Sequence, residues 1–452
     1  MNKTDLIIIG AGPGGYECAL HAAKSGMSVT LFNGDKLGGT CLNEGCIPTK
    51  CLCRNSEVIS QFKEGEEFGI DDFTFSVDFN KIMERKNNVV ETLRGGIDAL
   101  MKSAKVNVVN AKASFKDSKT VVADGEEYTA DNIIIATGSI SKSLPIPGHD
   151  AEFVMDSTDI LSIDHIPESL TIIGGGVIGM EFASIFNGLG SKVTVIEFMK
   201  QVLPPFDSDI AKRLKQSLTK KGIKIITSAA AKKIEQNENY EIVVTYETKG
   251  KEDCVVSSDL LMAVGRAARV DGLNLEAAGV EYSPRGIVVD DNMQTNVSGI
   301  YAIGDVNARM MLAHVATFQG FRALNHIHGK SDEIRFDITP SAVFTVPECG
   351  MVGKTEEQCK VEGLEIMVGQ SFFRANGKAL TMAEPDGLCK LIFRKDNGLL
   401  IGAHIMGVEA ADLAQQCADM MNGDMTLEKM QQIIFSHPSV SEVIMSALYN
   451  VK

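Results

Sequence analysis

Tryptophan is absent from the 452 residues, and so is any block of lysine and arginine. With a net charge of −15, the chain offers nothing like the basic surface that a nucleic-acid partner requires. No apolar run approaches the roughly 18 residues of a membrane-crossing helix. LIIIG at 6–10 and TIIGGG at 171–176 have the length of buried strands. Low-complexity segments and flexible linkers are missing as well. An apolar strand is under way by Asp5 and Leu6, which leaves no room for a signal or transit peptide and sets the expectation of a cytoplasmic protein. A mature chain already stripped of a presequence would read the same way. The ten cysteines are scattered, not dense, so a disulfide-rich secreted scaffold is excluded and most are expected as reduced thiols.

What is present describes a globular protein, with 44% hydrophobic and 23% charged residues. The length exceeds one ordinary core, so three or four domains are expected. One pattern occurs twice. Residues 5–33 and 170–197 each read as apolar strand, glycine turn, helix, short break and second apolar strand. Their first glycines, Gly10 and Gly174, lie 164 residues apart, too far for a solenoid and suited to two separate nucleotide domains. Between them, residues 81–106 carry apolar side chains at helical spacing, and 107–135 alternate like strands. A proline-rich break at 144–150 suits a boundary. From about Arg335 the pattern becomes strands and turns, then helices, and reads as an α+β domain without a glycine-rich motif.

Gly10, Gly12 and Gly15 follow the strand Leu6–Ile9 and open a helix. The first permits a tight turn, the second lets backbone approach a pyrophosphate, and the third lets helix pack on strand. The helix N-terminus then offers N–H groups to phosphates. A plain structural turn can carry the same glycines, but the strand–turn–helix context favours a nucleotide. Gly174, Gly176 and Gly179 repeat the arrangement, and Glu197 ends the next strand 18 residues beyond Gly179. A carboxylate there accepts the hydroxyls of an adenosine ribose and repels a 2′-phosphate, which favours NAD over NADP. The alternative is a solvated strand-end glutamate. In the first unit the equivalent residue is Asn33, able to hydrogen-bond a ribose without the charge.

Four cysteines crowd the run GGTCLNEGCIPTKCLC at 38–53. Cys41 and Cys46 flank what reads as a loop, CLNEGC, before IPTK leads into a helix. A thiol at a helix N-terminus has its thiolate stabilised, and Lys50 lies four residues on, along the same helical face. Zinc would need a second ligand cluster, yet no histidine is near and Cys51 and Cys53 continue at awkward spacing. Buried apolar thiols suit those two better. Two nucleotide sites beside a cysteine pair suggest electrons moving between nicotinamide, flavin and disulfide.

The run GGTCLNEGCIPTK resembles the redox-active signature of the class I pyridine nucleotide–disulfide oxidoreductases. The likeness extends over essentially the whole chain through ATGS (136–139), AVGRAARVDGLNLEAAGV (263–280), YAIGDV (301–306), MLAH (311–314), VGKTEEQ (352–358) and HPSVSE (437–442). It implies an α/β fold of two Rossmann-like domains, for FAD and NAD, with a C-terminal α+β dimerisation domain. The expected boundaries are 1–148 for FAD, 149–270 for NAD, 271–336 for a central segment completing the FAD site and 337–452 for the interface domain. It further implies that Cys41 and Cys46 form a redox disulfide, with Cys46 on the flavin side and Cys41 exchanging with substrate. Lys50 would lie near the flavin ring, paired with Glu181. Asp305 would hold the ribityl chain, helped by Met311, Leu312, Ala313 and His314. Gly39, Thr40, Thr137, Gly138, Ser139 and the backbone near Ala113 would line the FAD site, and Gly265 would join the nucleotide contacts. His437 and Glu442, contributed by the other subunit of a homodimer, would form an acid–base pair. The implied activity oxidises dihydrolipoamide carried on a lipoyl domain of a 2-oxo acid dehydrogenase complex or a glycine-cleavage system, and reduces NAD.

Read from residues alone, His437 is better taken as a satisfied surface histidine, although thiol exchange near neutral pH does need a group of its kind. Two departures from the family pattern concern the substrate channel: Phe435 stands where many relatives carry a second histidine, and TVPECG at 345–350 replaces a commoner THPEVA. A related reductase acting on another small disulfide is the alternative enzyme, and a structural subunit of a multienzyme core the alternative of a different class. No metal ligands are expected.

Overall fold

Every side chain of the strand Leu6–Ile9 is buried, as an apolar run between parallel neighbours must be. In the computed structural model, which describes residues 2–72 and 74–452, this strand is the middle of a five-stranded parallel sheet. The order is Ile300–Ala302, Asn132–Ile135, Leu6–Ile9, Val29–Phe32, Asn107–Val109. A smaller sheet of Asn2–Lys3, Glu126–Thr129, Thr120–Ala123 and Ser114–Asp117 accompanies it. Phe115, Val121 and Tyr128 from that sheet share a core with Ile7, Ile9 and Ile133. The helix expected across 81–106 runs Phe79–Ser103 and buries Ile82, Val90, Ile97 and Met101. These elements belong to a compact unit made of 2–51, 81–142 and 265–334.

The second unit comprises the described residues of 52–80, 143–264 and 335–452. Its parallel sheet repeats the first, in the order Val154–Met155, Asp259–Met262, Ser169–Ile173, Lys192–Glu197, Lys224–Thr227. A three-stranded antiparallel sheet, Ala229–Gln236, Ile242–Thr248 and Lys251–Ser257, follows Lys224–Thr227 in the chain. Beyond Arg335 the chain forms an antiparallel sheet ordered Ser341–Val343, Cys349–Gly353, Leu400–Met406, Leu388–Arg394, Ile366–Phe372. One face of it packs with the helices Ala410–Asn422 and Glu442–Tyr449 in a core containing Leu391, Phe393, Ile405, Leu413, Cys417 and Ile444. Ile433 and Phe435 lie against this core, so the phenylalanine at 435 is held by apolar packing. No helix among the described residues is long and apolar enough to cross a membrane.

Alternation along those strands turns Lys390 and His404, which are paired across the ladder, away from that core. The Lys390 side chain is 1% exposed, and its ammonium lies 2.8 Å from Asp207 Oδ1, 2.8 Å from Asp209 Oδ2, and in contact with the Glu356 carboxylate. Oxygens of these three acids lie within 4.8 Å of one another, close enough for a cation, and the lysine supplies that charge. Burial works against the charged lysine, but its hydrogen bonds to Asp207, Asp209 and Glu356 outweigh burial and raise its pKa. Asp207 also caps the helix Ser208–Lys220 through the Asp209 N–H at 3.1 Å. The cluster therefore ties that helix to the antiparallel sheet. Replacing Lys390 with Met strands the fully buried Asp207 and should cost about 3–5 kcal/mol in a urea unfolding experiment at pH 7. Adding Asp207→Asn should recover part of the loss. A single variant as stable as the wild type would show that the cluster does not hold these elements together.

Candidate active site

Gly10 sits at φ +112°, and a Cβ there would come 2.3 Å from the carbonyl oxygen of Ala136. Gly15 is tighter, since its Cβ would meet the Gly10 oxygen at 1.9 Å. Both positions thus exclude any side chain. The helix Pro13–Lys24 begins at Gly12 with proline in its first turn and no capping side chain, so its first N–H groups face outward for an anionic ligand. Helix Ala313–Ile327 lies alongside: a Cβ on Gly14 would meet Ala316 Cβ at 3.0 Å, and one on Gly320 would meet Cys18 Cβ at 3.1 Å. The matched four-residue steps make the two helices parallel, so Met311, Leu312, Ala313 and His314 stand at the same end as the glycine turn.

Asp305 belongs to the turn Gly304–Asn307. Its Oδ2 accepts the Ser139 hydroxyl at 2.5 Å. Arg266 donates to Ser139 Oγ at 2.7 Å and to its carbonyl at 2.8 Å. The turn itself is fixed from below by buried Gln319, whose Oε1 accepts from Gly304 N–H at 2.7 Å and Asn307 Nδ2 at 2.9 Å. Sequence reasoning passed over Arg266 and Gln319. Arg266 lies inside a quoted motif, while Gln319 was legible only as a glutamine on an otherwise apolar helix face. Thr137 Oγ1 donates to the Arg269 carbonyl at 2.7 Å, and the Gly138 carbonyl accepts the Arg269 N–H at 2.9 Å. Gly265, at φ +110°, accepts the Lys142 N–H at 2.9 Å. Ala113 is buried in the adjoining core. Asn33 lies buried just past the strand Val29–Phe32, with its N–H donating to the Val109 carbonyl at 2.8 Å and Nδ2 donating to Asn110 Oδ1 at 2.9 Å. Its own Oδ1 keeps the capacity to accept from a hydroxyl.

The cysteine segment rests directly on this turn. Gly39, at φ +60°, approaches so closely that its Cβ would fall 2.5 Å from the Gly12 Cα. The stretch read as a loop is mostly helical: Gly39–Glu44 is one helix, Gly45 breaks it at φ −149° and ψ −110°, and Cys46–Lys63 is the next. Side-chain bonds make the difference. Asn43 Nδ2 donates to the carbonyls of Gly39 (2.9 Å) and Leu37 (3.1 Å), and Arg94 Nε holds Asn43 Oδ1 at 3.0 Å. Exposed Thr40 precedes Cys41 in the first of these helices. Cys41 and Cys46 are partly exposed, while Cys51 and Cys53 are 7% and 8% exposed. The Cys41 thiol is raised well above its ordinary pKa, first by its hydrogen bond with Cys46 and then by burial, with nearby Lys50 opposing.

Gly174 repeats Gly10 at φ +113°, with a Cβ position 2.3 Å from the Ala263 oxygen, and Gly179 repeats Gly15 at 2.0 Å from the Gly174 oxygen. Helix Val177–Leu189 starts at Gly176, where a Cβ would meet nothing within 4 Å and no side chain caps the first turn. Glu197 is 6% exposed, with Oε2 accepting from Gly175 N–H and Oε1 from Met199 N–H, both at 2.5 Å. The carboxylate is thus aimed at the rim of the turn with lone pairs to spare. Glu181, 3% exposed, accepts the Phe344 N–H at 3.0 Å. In the C-terminal region His437 Nδ1 lies 3.0 Å from Glu442 Oε1, and Glu442 Oε2 accepts the Ser439 N–H at 2.9 Å. Those two contacts, the backbone one first, hold the Glu442 carboxyl below the usual range. A carboxylate on Nδ1 fixes the proton there and leaves Nε2 as the base. The His437 side chain is 80% exposed.

Residues 4–320 match the pyridine nucleotide-disulphide oxidoreductase family, and 339–448 match its dimerisation domain. The chain belongs to this family. Two dihydrolipoyl dehydrogenases of Bacillus subtilis (strain 168) are 39% and 41% identical over 449 and 451 residues, covering 98% of this chain and 97% and 96% of theirs. The dihydrolipoyl dehydrogenase of Geobacillus stearothermophilus is 38% identical over 451 residues, covering 98% of this chain and 95% of that protein. Among solved structures, the HOCl-induced flavoprotein disulfide reductase RclA from Escherichia coli superposes with a TM-score of 0.89 at 30% identity, covering 99% of this chain and 100% of that one. The Cu(II) complex of RclA gives the same TM-score and identity.

The protein is accordingly an oxidoreductase that uses FAD and NAD(H) and carries a dimerisation domain. The residues fit both cofactors. Each glycine turn presents an uncapped helix start beside positions that admit no side chain, which is the cradle a pyrophosphate needs. Filling either cradle should be selective. Gly15→Ala should leave protein with little flavin absorbance, whereas Gly179→Ala should stay yellow and bind NADH about tenfold or more weakly by calorimetry. Equal retention of both ligands in both variants would show that the turns are not the cofactor seats.

Proposed function

We propose that the protein is an FAD-dependent dihydrolipoamide dehydrogenase, oxidising dihydrolipoamide on a lipoyl-carrier domain through Cys41 and Cys46 and reducing NAD⁺ to NADH. The observation that carries this reading is the packing of Gly39 on Gly12, which brings the Cys41–Cys46 segment against the first nucleotide turn. The names of the relatives above support the choice of substrate. The carrier belongs to a 2-oxo acid dehydrogenase complex or a glycine-cleavage system, and the enzyme works as a cytoplasmic homodimer.

In the oxidised enzyme a substrate thiolate attacks Cys41, breaking the Cys41–Cys46 bond and forming a mixed disulfide. His437 Nε2 takes the proton of the substrate thiol, steadied by Glu442 on the opposite ring nitrogen. The second substrate thiolate then displaces Cys41, closing the substrate disulfide and leaving both cysteines reduced. The sulfur at the start of helix Cys46–Lys63 is the one placed to carry the thiolate. Bound FAD supplies a two-electron relay from that thiolate to the nicotinamide. Each cycle consumes one dithiol and one NAD⁺ and yields one disulfide, one NADH and one proton. Lys50, Glu181, Asp305 and the Met311–His314 segment bind and orient on the flavin side, and Glu197 selects the unphosphorylated adenosine ribose.

The solved RclA structures favour one second reading, a flavoprotein reductase of another small disulfide. Steady-state turnover of dihydrolipoamide with NAD⁺, compared with glutathione disulfide and NADH or NADPH, separates the two. Glu197 should make kcat/KM for NAD⁺ exceed that for NADP⁺ by about 100-fold, on the order of 3 kcal/mol, and Glu197→Ala should narrow the gap. Near-equal use of both by the wild type would remove Glu197 from this role. A shared site makes a further demand. Mixing inactive Cys46→Ser chains with inactive His437→Gln chains, with subunit exchange verified, should restore activity, because a mixed dimer has one site free of both lesions. About a quarter of wild-type sites should return by that symmetry. If His437 serves its own subunit, every site keeps a lesion and the mixture stays silent.

A further inference from the structure

Cys46 and Cys41 are carried on supports of unequal strength. Cys46 opens the 18-residue helix Cys46–Lys63, and Thr49 Oγ1 ties that start to the Gly45 carbonyl at 2.6 Å. Cys41 rides on Gly39–Glu44, six residues long, with no side-chain cap at Gly38 and an abrupt end at Gly45. A helix so short does not hold itself in water. Its beginning is seated on the first glycine turn, where Gly38 N–H donates to the Ala11 carbonyl at 2.9 Å and Gly39 meets Gly12. Its end is held by Asn43, whose Nδ2 bridges the carbonyls of Gly39 at 2.9 Å and Leu37 at 3.1 Å. The exposed Lys36–Glu44 pair, at 3.6 Å, adds little. Asn43 Oδ1 in turn accepts from Arg94 Nε at 3.0 Å. Arg94 is half-buried on the long helix Phe79–Ser103, between buried Val90 and Ile97, so its anchorage is independent of the cysteine turn.

We propose that Arg94 is a positioning residue which, through Asn43, holds Cys41 in closing range of Cys46 and so sets the redox balance of the pair. This rests on the reading of Cys41 and Cys46 as the redox disulfide. Asn43 stands two residues beyond Cys41, roughly 200° round the helix, so the guanidinium braces the turn from the face opposite the thiol. Its influence on the sulfur is therefore one of placement. With the disulfide closed, the covalent bond itself fixes the turn. With it open, the Arg94–Asn43 contact is what keeps the two sulfurs at high effective concentration. Closing the Cys41–Cys46 bond releases two electrons and two protons, which leave in the cycle as the hydride of NADH and one free proton. Loss of the brace frees the dithiol more than the disulfide, and this fixes the sign. Closing becomes slower and less favourable, while opening by a substrate thiolate is unchanged.

The test equilibrates the FAD-loaded full chain with mixtures of reduced and oxidised dithiothreitol. Free thiols are then alkylated, and the state of Cys41 and Cys46 is read by peptide mass spectrometry. Arg94→Met, which keeps the stem and loses the donor, should make the disulfide about tenfold less stable, about 30 mV for a two-electron couple. Arg94→Lys, with a donor on a stem of similar length, should recover part of this. Asn43→Ala should shift the balance at least as far, and adding Arg94→Met to it should change nothing more, as a single network requires. In stopped flow, reduction of oxidised Arg94→Met by dihydrolipoamide should stay within about twofold of wild type, whereas oxidation of the reduced enzyme by NAD⁺ should slow about tenfold. A general loosening of the fold would not split the half-reactions in this way, and a thermal melt with retained flavin absorbance checks for it. If wild type forms no Cys41–Cys46 disulfide in any mixture, the redox-pair reading itself falls. If wild type forms it and folded Arg94→Met titrates identically, only the brace is overturned.

Discussion

In both glycine turns a backbone carbonyl occupies the space where a side chain would begin: Ala136 against Gly10, and Ala263 against Gly174. A second carbonyl does the same one helical turn on, where Gly10 faces Gly15 and Gly174 faces Gly179. These approaches fix the start of each helix over the ends of its parallel strands, with the first N–H groups facing outward. Much of the first unit's site inherits its position from this contact. The cysteine segment sits on Gly12 through Gly39, and the helix carrying Met311–His314 at its start sits on Gly14 through Ala316. Neither could keep its place if the first turn relaxed by an ångström.

The C-terminal sheet is organised on a different principle. One face is apolar and packed with two helices, while the other buries Lys390 among Asp207, Asp209 and Glu356. A buried charge is costly unless its partners are complete, so this arrangement is specific where a hydrophobic contact would be permissive. His404, next to Lys390 on the ladder, donates through Nε2 to the Lys354 carbonyl at 2.8 Å, and burial keeps its imidazole toward the neutral form. The same region supports the His437–Glu442 pair, where the carboxylate is anchored by the Ser439 N–H before it meets the ring.

Cysteine chemistry follows exposure. Burial pushes the Cys18, Cys349 and Cys389 thiols well up, and Cys417 to about 12, so these act as small apolar side chains. Cys51 and Cys53 are buried as well. Cys41 and Cys46 alone combine partial exposure, mutual hydrogen bonding and a nearby lysine. The pair stands apart from the other thiols by environment, because chemically all ten side chains are the same.

The repeat of strand, glycine turn and helix was legible in the sequence, because a carbonyl packed where Cβ would lie admits only glycine, and such positions recur at set spacing. The parallel strands and the long helix Phe79–Ser103 were legible for a similar reason, since burial and helical periodicity write themselves into residue type. Other features were not. The helical turn at Gly39–Glu44 depends on Asn43 and on Arg94, 51 residues away, and reads locally as a loop. Ser139 meets Asp305 and Arg266 across separations of 166 and 127 residues, and Lys390 meets Asp207 across 183. The sequence by itself determined where backbone geometry forbids a side chain and where apolar faces must be buried. Only the tertiary structure decided which polar groups meet, because a hydrogen bond or ion pair forms over about 3 Å in space and leaves no periodic trace along the chain.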